Sequence, residues 1–334
     1  MSQKNVQVLL ANRPHGWVQE SDFRIIESDL PAVREGEVLV KNQYLSLDPY
    51  MRGRMNASKS YAASAELGQV MVGGTVGVIV ESKNPAFQVD DAVLGYLGWQ
   101  QYGISSGKDL QKLPKSEQIP LSAYLGVVGM PGITAWFGLM RIGQPKPGET
   151  VVVSAASGAV GSVVGQLARS QGCRAVGIAG GQTKCDYVVQ ELGFDACVDY
   201  KGDHLAEALA MAAPQGIDIY FDNVGGEILD TVLEQLNAFA RIPLCGRISQ
   251  YNATEPYRMR NFGSFLTNRV TLQGFIVSEH LEMWSQATQE LSKLVTTGEL
   301  KYRESVAQGL EHAPAAFIGM LKGENLGKQL VKLF

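Results

Sequence analysis

The stretch VVVSAASGAVGSVVGQLA, residues Val151 to Ala168, decides the fold of this chain. Its three leading valines are typical of a β-strand that is buried on both faces. The glycines at positions 158 and 161 predict a tight turn, and Val163, Val164 and Leu167 then follow at helical spacing. The segment therefore predicts a strand, a glycine turn and a helix that begins at the turn.

A turn of this kind can hold a phosphate group. The N-terminus of a helix presents N–H groups without intrahelical partners and a partial positive charge, which together attract a pyrophosphate. Gly158 permits a close approach, and Gly161 lets the helix pack closely on the strand. Ala156 stands where the usual G-x-G-x-x-G motif has its first glycine, so the motif is imperfect. A small-residue turn without a ligand remains an alternative at this point.

The end of the second predicted strand, CRAVGIAGG at Cys173 to Gly181, indicates which dinucleotide fits. An NAD site has an acidic residue about 20 residues past the glycines, where it binds the ribose 2′-hydroxyl. This chain has Gly180, Gly181 and Gln182 there, followed by Lys184. An ammonium group can pair with a 2′-phosphate, whereas a carboxylate would repel it. The pattern favours NADPH over NADH, the alternative being that Lys184 is an ordinary solvated helix residue.

Composition limits the class of protein. The 334 residues are enough for about two domains. A hydrophobic content of 45% and a charged content of 19% are typical of a globular protein with an ample core. The net charge of −4 and the lack of a Lys/Arg run argue against a nucleic-acid surface. No long apolar stretch begins the chain, so we expect no signal peptide, no membrane span and a cytoplasmic location.

The cysteines and histidines predict no metal site. They are scattered, with no C-x₂-C pair and no matching histidine cluster. The cysteines lie within or beside apolar segments, where buried free thiols are common. The residues concerned are Cys173, Cys185, Cys197, Cys245, His15, His204, His280 and His312.

The pattern of predicted strands and helices changes twice along the chain. Residues 1–125 carry short, glycine-punctuated strands typical of a strongly bent sheet. From residue 126 strands and helices alternate, which predicts a doubly wound parallel sheet with strands at 151–155, 173–179, 195–199, 217–222, 239–245 and 270–277. The tail ends in an apolar strand at Lys328 to Leu333 that needs a sheet to join. We therefore predict a discontinuous domain, 1–125 with 300–334, and a second domain at 126–299.

Seven motifs in order resemble a known family. The chain is similar to the medium-chain dehydrogenases/reductases, in the zinc-free branch of leukotriene B4 dehydrogenase, prostaglandin reductase and plant double-bond reductase. Within it the resemblance is strongest to the bacterial NADPH-dependent curcumin reductases. It implies an α/β fold with a Rossmann doubly wound parallel sheet plus a GroES-like β-barrel-type substrate domain. Besides the glycine turn, the motifs are YLSLDPYMRGRM (44–55), GGTVGVIVES (73–82), GMPGITAWFGL (129–139), FDNVGGE (221–227), CGRISQYN (245–252) and FIGMLKGENLGK (317–328).

The resemblance also implies which residues bind NADPH. The glycine turn would hold the pyrophosphate, and Lys184 and Tyr200 would contact the adenosine 2′-phosphate. Further residues would contact the rest of the cofactor, some of them along the nicotinamide half. The full implied set is Gly158, Ala159, Val160, Gly161, Lys184, Tyr200, Asn223, Cys245, Gly246, Ser249, Tyr251, Phe275, Ile276, Val277 and Asn325.

The family reduces the carbon–carbon double bond of α,β-unsaturated ketones and aldehydes. Hydride adds to the β-carbon and negative charge develops on the carbonyl oxygen, which needs a hydrogen-bond donor. Tyr251 would donate to this oxygen or hold the ribose hydroxyl that does so. Tyr50 and Tyr61 would face the substrate. Alternatives are that Tyr251 anchors a loop and that Tyr61 is simply an exposed loop residue.

Two other functions remain open at this stage. A zinc-independent NADPH:quinone oxidoreductase would use the same cofactor, and a non-catalytic NADPH-binding protein would leave the substrate-side tyrosines unexplained. The resemblance implies a small-molecule enone as substrate. It also implies a homodimer paired through the nucleotide domains.

Overall fold

The computed structural model describes residues 4–114 and 116–334, which form two compact units. The first unit contains the chain up to Gly126 together with Glu304–Asn325 and Gln329–Phe334. The second unit contains Val127–Arg303 and Leu326–Lys328. A short piece of the C-terminal tail therefore belongs to the second unit, although the residues on either side of it belong to the first.

The strands follow the predicted pattern closely along the chain. They are β1 (Lys4–Leu10), β2 (Phe23–Asp29), β3 (Val38–Ser46), β4 (Thr75–Ser82), β5 (Ala92–Gly95), β6 (Tyr102–Ser105), β7 (Gln111–Lys112), β8 (Thr150–Ser154), β9 (Arg174–Ala179), β10 (Ala196–Asp199), β11 (Ile217–Phe221), β12 (Leu236–Leu244), β13 (Thr271–Gly274), β14 (Glu304–Gln308) and β15 (Lys328–Lys332).

The α-helices are concentrated in the second unit. They are α1 (Tyr50–Arg54), α2 (Met130–Phe137), α3 (Gly161–Ser170), α4 (Gln182–Asp186), α5 (Leu205–Ala212), α6 (Gly226–Val232), α7 (Ser264–Thr267), α8 (Trp284–Thr296) and α9 (Ala313–Leu321). Among the described residues, no helix is both long and apolar enough to cross a membrane.

The second unit is built on a six-stranded parallel sheet in the order β10-β9-β8-β11-β12-β13. Counted along the chain within this unit, the order is 3-2-1-4-5-6, which is that of a doubly wound nucleotide-binding fold. The chain reverses direction across the sheet between β8 and β11. Ligands bind at such a switch point, beyond the carboxyl ends of the strands. The predicted α/β fold with a doubly wound sheet is confirmed.

The central strand β8 is buried along its whole length, as its run of valines predicts. Val152 joins Val176, Ile178, Tyr220 and Ile242 in one apolar cluster that continues under the helices. Burial on both faces of the sheet makes the register of these strands costly to change. The carboxyl ends of the strands are therefore held at fixed positions relative to one another.

The first unit contains a seven-stranded sheet with the order β14-β15-β3-β4-β5-β7, in which β6 also pairs with β3. The last strand, β15, is antiparallel to β3, with Leu330 opposite Ser46. The β3–β4 pairing has two register shifts, and such irregularities bend a sheet. In a bent sheet neighbouring strands approach closely, and glycine leaves room for this approach. Gly77 is an example, because a side chain there would overlap the Lys41 carbonyl oxygen.

Two predicted elements differ from the structure at their ends. Strand β12 begins at Leu236, three residues before the predicted 239, and β13 ends at Gly274 rather than at residue 277. Phe275 leaves the strand because its ring packs against the aromatic rings of Phe137 and Phe221. Tertiary packing thus overrides the apolar run that predicted a longer strand.

We predict that Gly161→Ala lowers the free energy of unfolding by about 1–3 kcal/mol. A Cβ at position 161 would overlap the backbone carbonyl of Ala155, whose carbon would be only 2.9 Å away. The overlap cannot be relieved by a change of side-chain rotamer, because the contacted atoms belong to the backbone. Urea unfolding measures the change. The control is Gly53→Ala in α1, where no atom of the described residues outside the chain neighbours and the helix's own backbone lies within 4 Å of the added Cβ. A helical alanine should there raise stability by up to about 1 kcal/mol, and equal changes at both sites would contradict the packing argument.

Candidate functional site

The turn between β8 and α3 is open on its outer side. It is tightened by Ala155, which adopts a left-handed φ of 51°, and by the Gly158 N–H, which donates to the Ala155 carbonyl at 2.9 Å. Among the described residues, and apart from the two chain neighbours of Gly158, the only atom within 4 Å of a Cβ built there is this same carbonyl oxygen, at 3.1 Å. Helix α3 then begins at Gly161, after the half-buried Ala159 and Val160, and runs for ten residues. The Ser162 N–H donates to the Gly158 carbonyl at 3.0 Å, which joins the start of the helix to the turn.

The C-terminal tail reinforces this turn from one side. The Gly327 N–H donates to the Ser157 carbonyl at 2.9 Å, and Gly327 forms a parallel bridge with Gly158. Gly327 has a φ of 75°, and an added side chain there would overlap the Arg303 carbonyl oxygen. Asn325 lies two residues earlier, between α9 and β15, and is grouped with the first unit. Its predicted contact with the cofactor stays a prediction.

Tyr200 directly follows β10, and Lys184 lies on α4, the helix that follows the neighbouring strand β9. Gly181, with a φ of 97°, donates its N–H to Asp199 Oδ1 at 2.7 Å, which fixes the chain between β9 and α4. A Cβ built on Gly180 would lie 2.9 Å from Tyr200 Oη, so the tyrosine ring lies directly against this turn. Lys184 follows on α4 and is half-buried. Lys184 and Tyr200, which the sequence analysis assigned to the same phosphate, thus both lie beside the turn at Gly180 and Gly181.

A second cation, Lys201, lies at the same place. Burial lowers the pKa of Lys184, and the positive charge of Lys201 lowers it further. The Lys201 N–H is held by Asp199 Oδ1 at 2.9 Å. Sequence reasoning missed Lys201, although its position directly after Tyr200 at the end of a predicted strand was a usable signal. The two ammonium groups make this corner suitable for an anion.

The FDNVGG segment is organised around a buried carboxylate. Asp222 is fully buried, and its Oδ1 accepts hydrogen bonds from Tyr220 Oη at 2.8 Å, from the Val224 and Gly225 N–H groups at 2.9 Å each, and from Ser154 Oγ at 3.2 Å. Burial raises the pKa of Asp222, while these hydrogen bonds oppose the rise. The carboxylate thus determines the path of the chain after β11.

Asn223 is held in place by the end of β8. Its N–H donates to Ser154 Oγ at 3.0 Å, and its Nδ2 donates to the Ser154 carbonyl at 2.8 Å. Sequence reasoning selected Asn223 but missed Ser154 and Asp222. The available signal was that polar residues end two apolar strands which a doubly wound sheet places side by side.

The segment Cys245–Tyr251 is attached to the FDNVGG segment by backbone hydrogen bonds. The N–H groups of Cys245 and Gly246 donate to the Asp222 carbonyl at 2.9 and 3.1 Å. Ser249 Oγ donates to the Val224 carbonyl at 2.7 Å. The chain then turns and brings the Tyr251 hydroxyl close to Gly246. A Cβ added to Gly246 would lie 3.4 Å from Tyr251 Oη. The Tyr251 phenol therefore lies over the backbone that follows β12.

The Cys245 thiol is not activated as a nucleophile. Burial and the nearby Asp222 carboxylate raise the pKa of Cys245 to about 12. A thiol with such a pKa stays protonated near neutral pH, so its sulfur is a poor nucleophile. Cys245 therefore contributes its backbone and its packing to the site.

The segment Phe275–Val277 lies against the aromatic core of the second unit. The Phe275 ring centroid is 5.6 Å from that of Phe137, and the His280 ring stacks on the same phenylalanine at 4.3 Å. The Val277 carbonyl accepts a hydrogen bond from Trp284 Nε1 at 3.0 Å. Ile276, between them, is half-buried. The segment is therefore held firmly where β13 ends.

The other predicted tyrosines belong to the first unit. Tyr50 opens α1 and is half-buried, and its pKa is raised well above the usual value by burial, by Asp48 and by the neighbouring Tyr96 and Tyr61. Its phenol is therefore protonated, and it can donate a hydrogen bond. Tyr61 is 59% exposed. Tyr96, which sequence reasoning missed, completes a group of three tyrosines at this end of the first unit.

Arg52, also on α1, is held within the first unit. It is 3% exposed and donates to Asn56 Oδ1 at 2.6 Å and to the Gly16 carbonyl at 2.9 Å. These bonds attach the loop before β2 to α1. Among residues 4–114 and 116–334, no group of three or more His, Cys, Asp and Glu side chains is arranged to hold a metal ion.

Family profiles cover most of both units. The profile described as "N-terminal domain of oxidoreductase" matches residues 6–113, and the one described as "Zinc-binding dehydrogenase" matches residues 159–293. The second profile includes Gly161, Lys184, Tyr200, Asn223 and Tyr251 of the site described above, and it begins one residue after Gly158.

Individual relatives match over nearly the whole chain. The NADPH-dependent curcumin reductase of Escherichia coli is 50% identical over 99% of this chain and 97% of its own length. Prostaglandin reductase 1 of Rattus norvegicus is 45% identical over 95% of each chain. The crystal structure of CurA in complex with NADPH from Vibrio vulnificus is 46% identical, covers 98% of this chain and 99% of its own, and superposes with a TM-score of 0.95. The chain belongs to the medium-chain dehydrogenase/reductase family, in the branch of the curcumin and prostaglandin reductases.

Proposed function

We propose that this protein reduces the carbon–carbon double bond of α,β-unsaturated ketones and aldehydes with NADPH. The observation that carries the proposal is the identity of 50% to an NADPH-dependent curcumin reductase over almost the full length of both chains. Curcumin is itself a conjugated enone, so the relative's name and the expected substrate class agree. The cationic corner at Lys184 and Lys201 supports the same cofactor on independent, electrostatic grounds.

The residues of the second unit fit NADPH. A Cβ on Gly158 would occupy the open side of the turn, where a pyrophosphate would approach the N-terminus of α3. Lys184, Lys201 and Tyr200 supply two ammonium groups and a phenol for a 2′-phosphate. Asn223 and the segment Cys245–Tyr251 would contact the nicotinamide half. Phe275, Ile276 and Val277 would form an apolar wall for it.

The protein itself would contribute a hydrogen bond to the carbonyl oxygen of the enone. NADPH, when bound, supplies the hydride that adds to the β-carbon of the enone. Tyr251 would donate to the carbonyl oxygen on which negative charge develops, or would orient the ribose hydroxyl that donates there. Tyr50, whose raised pKa keeps its phenol protonated, would be a second donor, and Tyr61 would face the substrate.

A panel assay tests the proposed function. A curcumin-like dienone, a 2-alkenal, a small quinone and a saturated aldehyde are offered with NADPH, and the products are identified by mass. We expect the enones and alkenals to gain two hydrogens and the saturated aldehyde to be inert. Faster turnover of the quinone would instead support the quinone oxidoreductase alternative. NADPH binding without any turnover would support a non-catalytic role.

We predict that Lys184→Ala raises KM for NADPH by about tenfold, because it removes a charge-assisted hydrogen bond. KM for NADH should change by less than about twofold. Steady-state kinetics with each cofactor at saturating enone measure both. Lys301→Ala, an exposed lysine of the same unit, is the control and should leave both constants unchanged. An equal effect of Lys184→Ala on the two cofactors would remove the 2′-phosphate assignment.

Loss of the Tyr251 phenol should lower kcat. If this group donates in the transition state, Tyr251→Phe reduces kcat by about tenfold to a hundredfold, and KM for the enone changes less. Tyr257→Phe is a matched control, because the Tyr257 hydroxyl donates to the buried Asp230 at 3.0 Å and not to the proposed site. An unchanged kcat at saturating substrate would exclude Tyr251 from the chemistry.

We also propose that the protein is a homodimer through its second unit. Strand β13 lies at the edge of the parallel sheet, and all four of its residues are exposed. Large apolar side chains precede it or lie on it, among them Phe262 at 70%, Leu266 at 84% and Leu272 at 38% exposure. An uncovered edge with such side chains favours pairing with a second copy of the chain.

Light scattering coupled to size exclusion tests the dimer. We predict that the protein elutes with the mass of two chains and that Leu272→Asp shifts it to one, because a charge on the edge strand opposes pairing. Met211→Asp is the control, since Met211 is 75% exposed but lies on α5, beside the strand at the opposite edge of the sheet. A single-chain mass for the unmodified protein would overturn the proposal.

A further inference from the structure

The geometry points to a redox site formed by Cys185 and Cys197, whose conversion to a disulfide by a hydroperoxide lowers the affinity for NADPH. The disulfide itself follows from the positions of the two thiols. Its effect on NADPH rests on the cofactor site proposed above.

The two thiols are neighbours in the fold although twelve positions separate them along the chain. Cys185 lies on α4 and Cys197 on β10, and these two elements pack against each other. Their side chains form a hydrogen bond with each other, and both sulfurs lie within hydrogen-bonding reach of the Ala179 N–H. Such proximity is the first requirement for a disulfide.

Cys185 has the properties of the attacking thiolate. The hydrogen bond from Cys197 lowers the pKa of Cys185, while the same interaction and burial raise the pKa of Cys197. Burial raises the pKa values of the other two thiols, to about 11 for Cys173 and about 12 for Cys245. Since the thiolate is the reactive form, Cys185 is the thiol of the four that is poised to react.

Access limits the oxidant to a small molecule. Cys185 is only 4% exposed, whereas Cys197 is partly exposed. Hydrogen peroxide is small enough to reach such a site, while a protein disulfide is not. Where disulfides occur in proteins of reducing compartments, they are usually transient and respond to oxidants.

The chemistry balances in two steps. The Cys185 thiolate attacks one oxygen of hydrogen peroxide, the O–O bond breaks, and a sulfenic acid forms while the released hydroxide takes up a proton to become water. The Cys197 sulfur then attacks the sulfenic sulfur, the S–O bond breaks, and its thiol proton leaves with the hydroxide as a second water. Two thiols and one peroxide thus give one disulfide and two waters, and a dithiol reductant reverses the change.

The new bond would disturb the cationic corner. A disulfide brings the sulfurs to about 2.05 Å, well inside hydrogen-bonding separation, so α4 must shift relative to β10. Lys184 directly precedes Cys185, and Asp199 and Tyr200 follow Cys197 by two and three positions. Asp199 holds the Gly181 N–H, and the Tyr200 ring lies against Gly180. The shift would therefore separate groups that must converge on one phosphate.

Intact-mass measurement tests the disulfide without any cofactor. The reduced protein is treated with hydrogen peroxide, the excess is removed with catalase, and free thiols are alkylated. We expect a loss of about 2 Da before alkylation, two fewer alkyl groups after it, and a Cys185–Cys197 linked peptide after digestion. Dithiothreitol should restore all four thiols. Absence of this linked peptide, or a different cysteine pair, would overturn the proposal.

Binding measurements test the consequence. We expect oxidation to raise the Kd for NADPH by about fivefold or more, with a smaller change for NADH, and reduction to reverse it. Because such coupling is reciprocal, saturating NADP⁺ should lower the disulfide fraction in a fixed glutathione buffer. A disulfide that leaves the Kd for NADPH unchanged would overturn the regulatory part. Failure of the reduced protein to bind NADPH would instead refute the proposed function and leave the disulfide result intact.

Matched variants separate this thiol pair from general oxidation. Cys197→Ser and Cys185→Ala should each bind NADPH when reduced and lose the peroxide effect on its Kd. Cys173→Ser is the control, because Cys173 donates to the Lys146 carbonyl at 3.2 Å, away from the pair, and should keep the peroxide effect. Persistence of the effect in both Cys185→Ala and Cys197→Ser would overturn the proposal.

Discussion

The buried carboxylate of Asp222 is the interaction on which the rest of the site depends. It accepts hydrogen bonds from Ser154, Tyr220, Val224 and Gly225, and the Asp222 backbone carbonyl accepts two more from the segment after β12. Three strand ends, those of β8, β11 and β12, are thereby joined at the switch point of the sheet. Burying a carboxylate is unfavourable unless it is hydrogen-bonded, so the arrangement of donors around it is strongly constrained. The loops that would contact a cofactor are consequently positioned before any ligand arrives.

A second constraint is electrostatic and lies at the other side of the glycine turn. Burial and the positive charge of Lys201 lower the pKa of Lys184, and an anion between the two ammonium groups would oppose this effect. Asp199 is the nearby carboxylate, and its Oδ1 accepts the N–H groups of Gly181 and Lys201, so it orders the backbone. The same small region contains the Cys185–Cys197 pair. Cofactor preference and redox sensitivity would then be properties of one corner, because a few residues of α4 and β10 build both.

Much of the fold and part of the site could be predicted from local sequence. The valines of β8, the glycines at 158 and 161 and the alternation of apolar runs led to the doubly wound sheet, since burial and helical spacing leave direct traces in residue type. Lys184 and Asn223 were selected through charge and motif, and their contact with a cofactor stays a prediction. Ser154, Asp222, Tyr96 and Lys201 were missed, because the contacts that join them to the site, such as Ser154 with Asp222 and Lys201 with Lys184, connect segments that are distant in sequence. The end of β13 was misplaced for the same reason, as Phe275 turns to join Phe137 and Phe221.

The sequence by itself determined the α/β class, the glycine turn and the preference for a cation at the end of β9. These depend on intrinsic backbone freedom, burial of apolar side chains and the sign of a charge, all of which are local properties. Only the tertiary structure decided that Asp222 joins three loops, that Gly327 of the tail supports the turn at Gly158, and that Cys185 meets Cys197. Such contacts depend on strand order and on the packing of helices across the sheet. A single sequence carries no local record of which distant residues become neighbours.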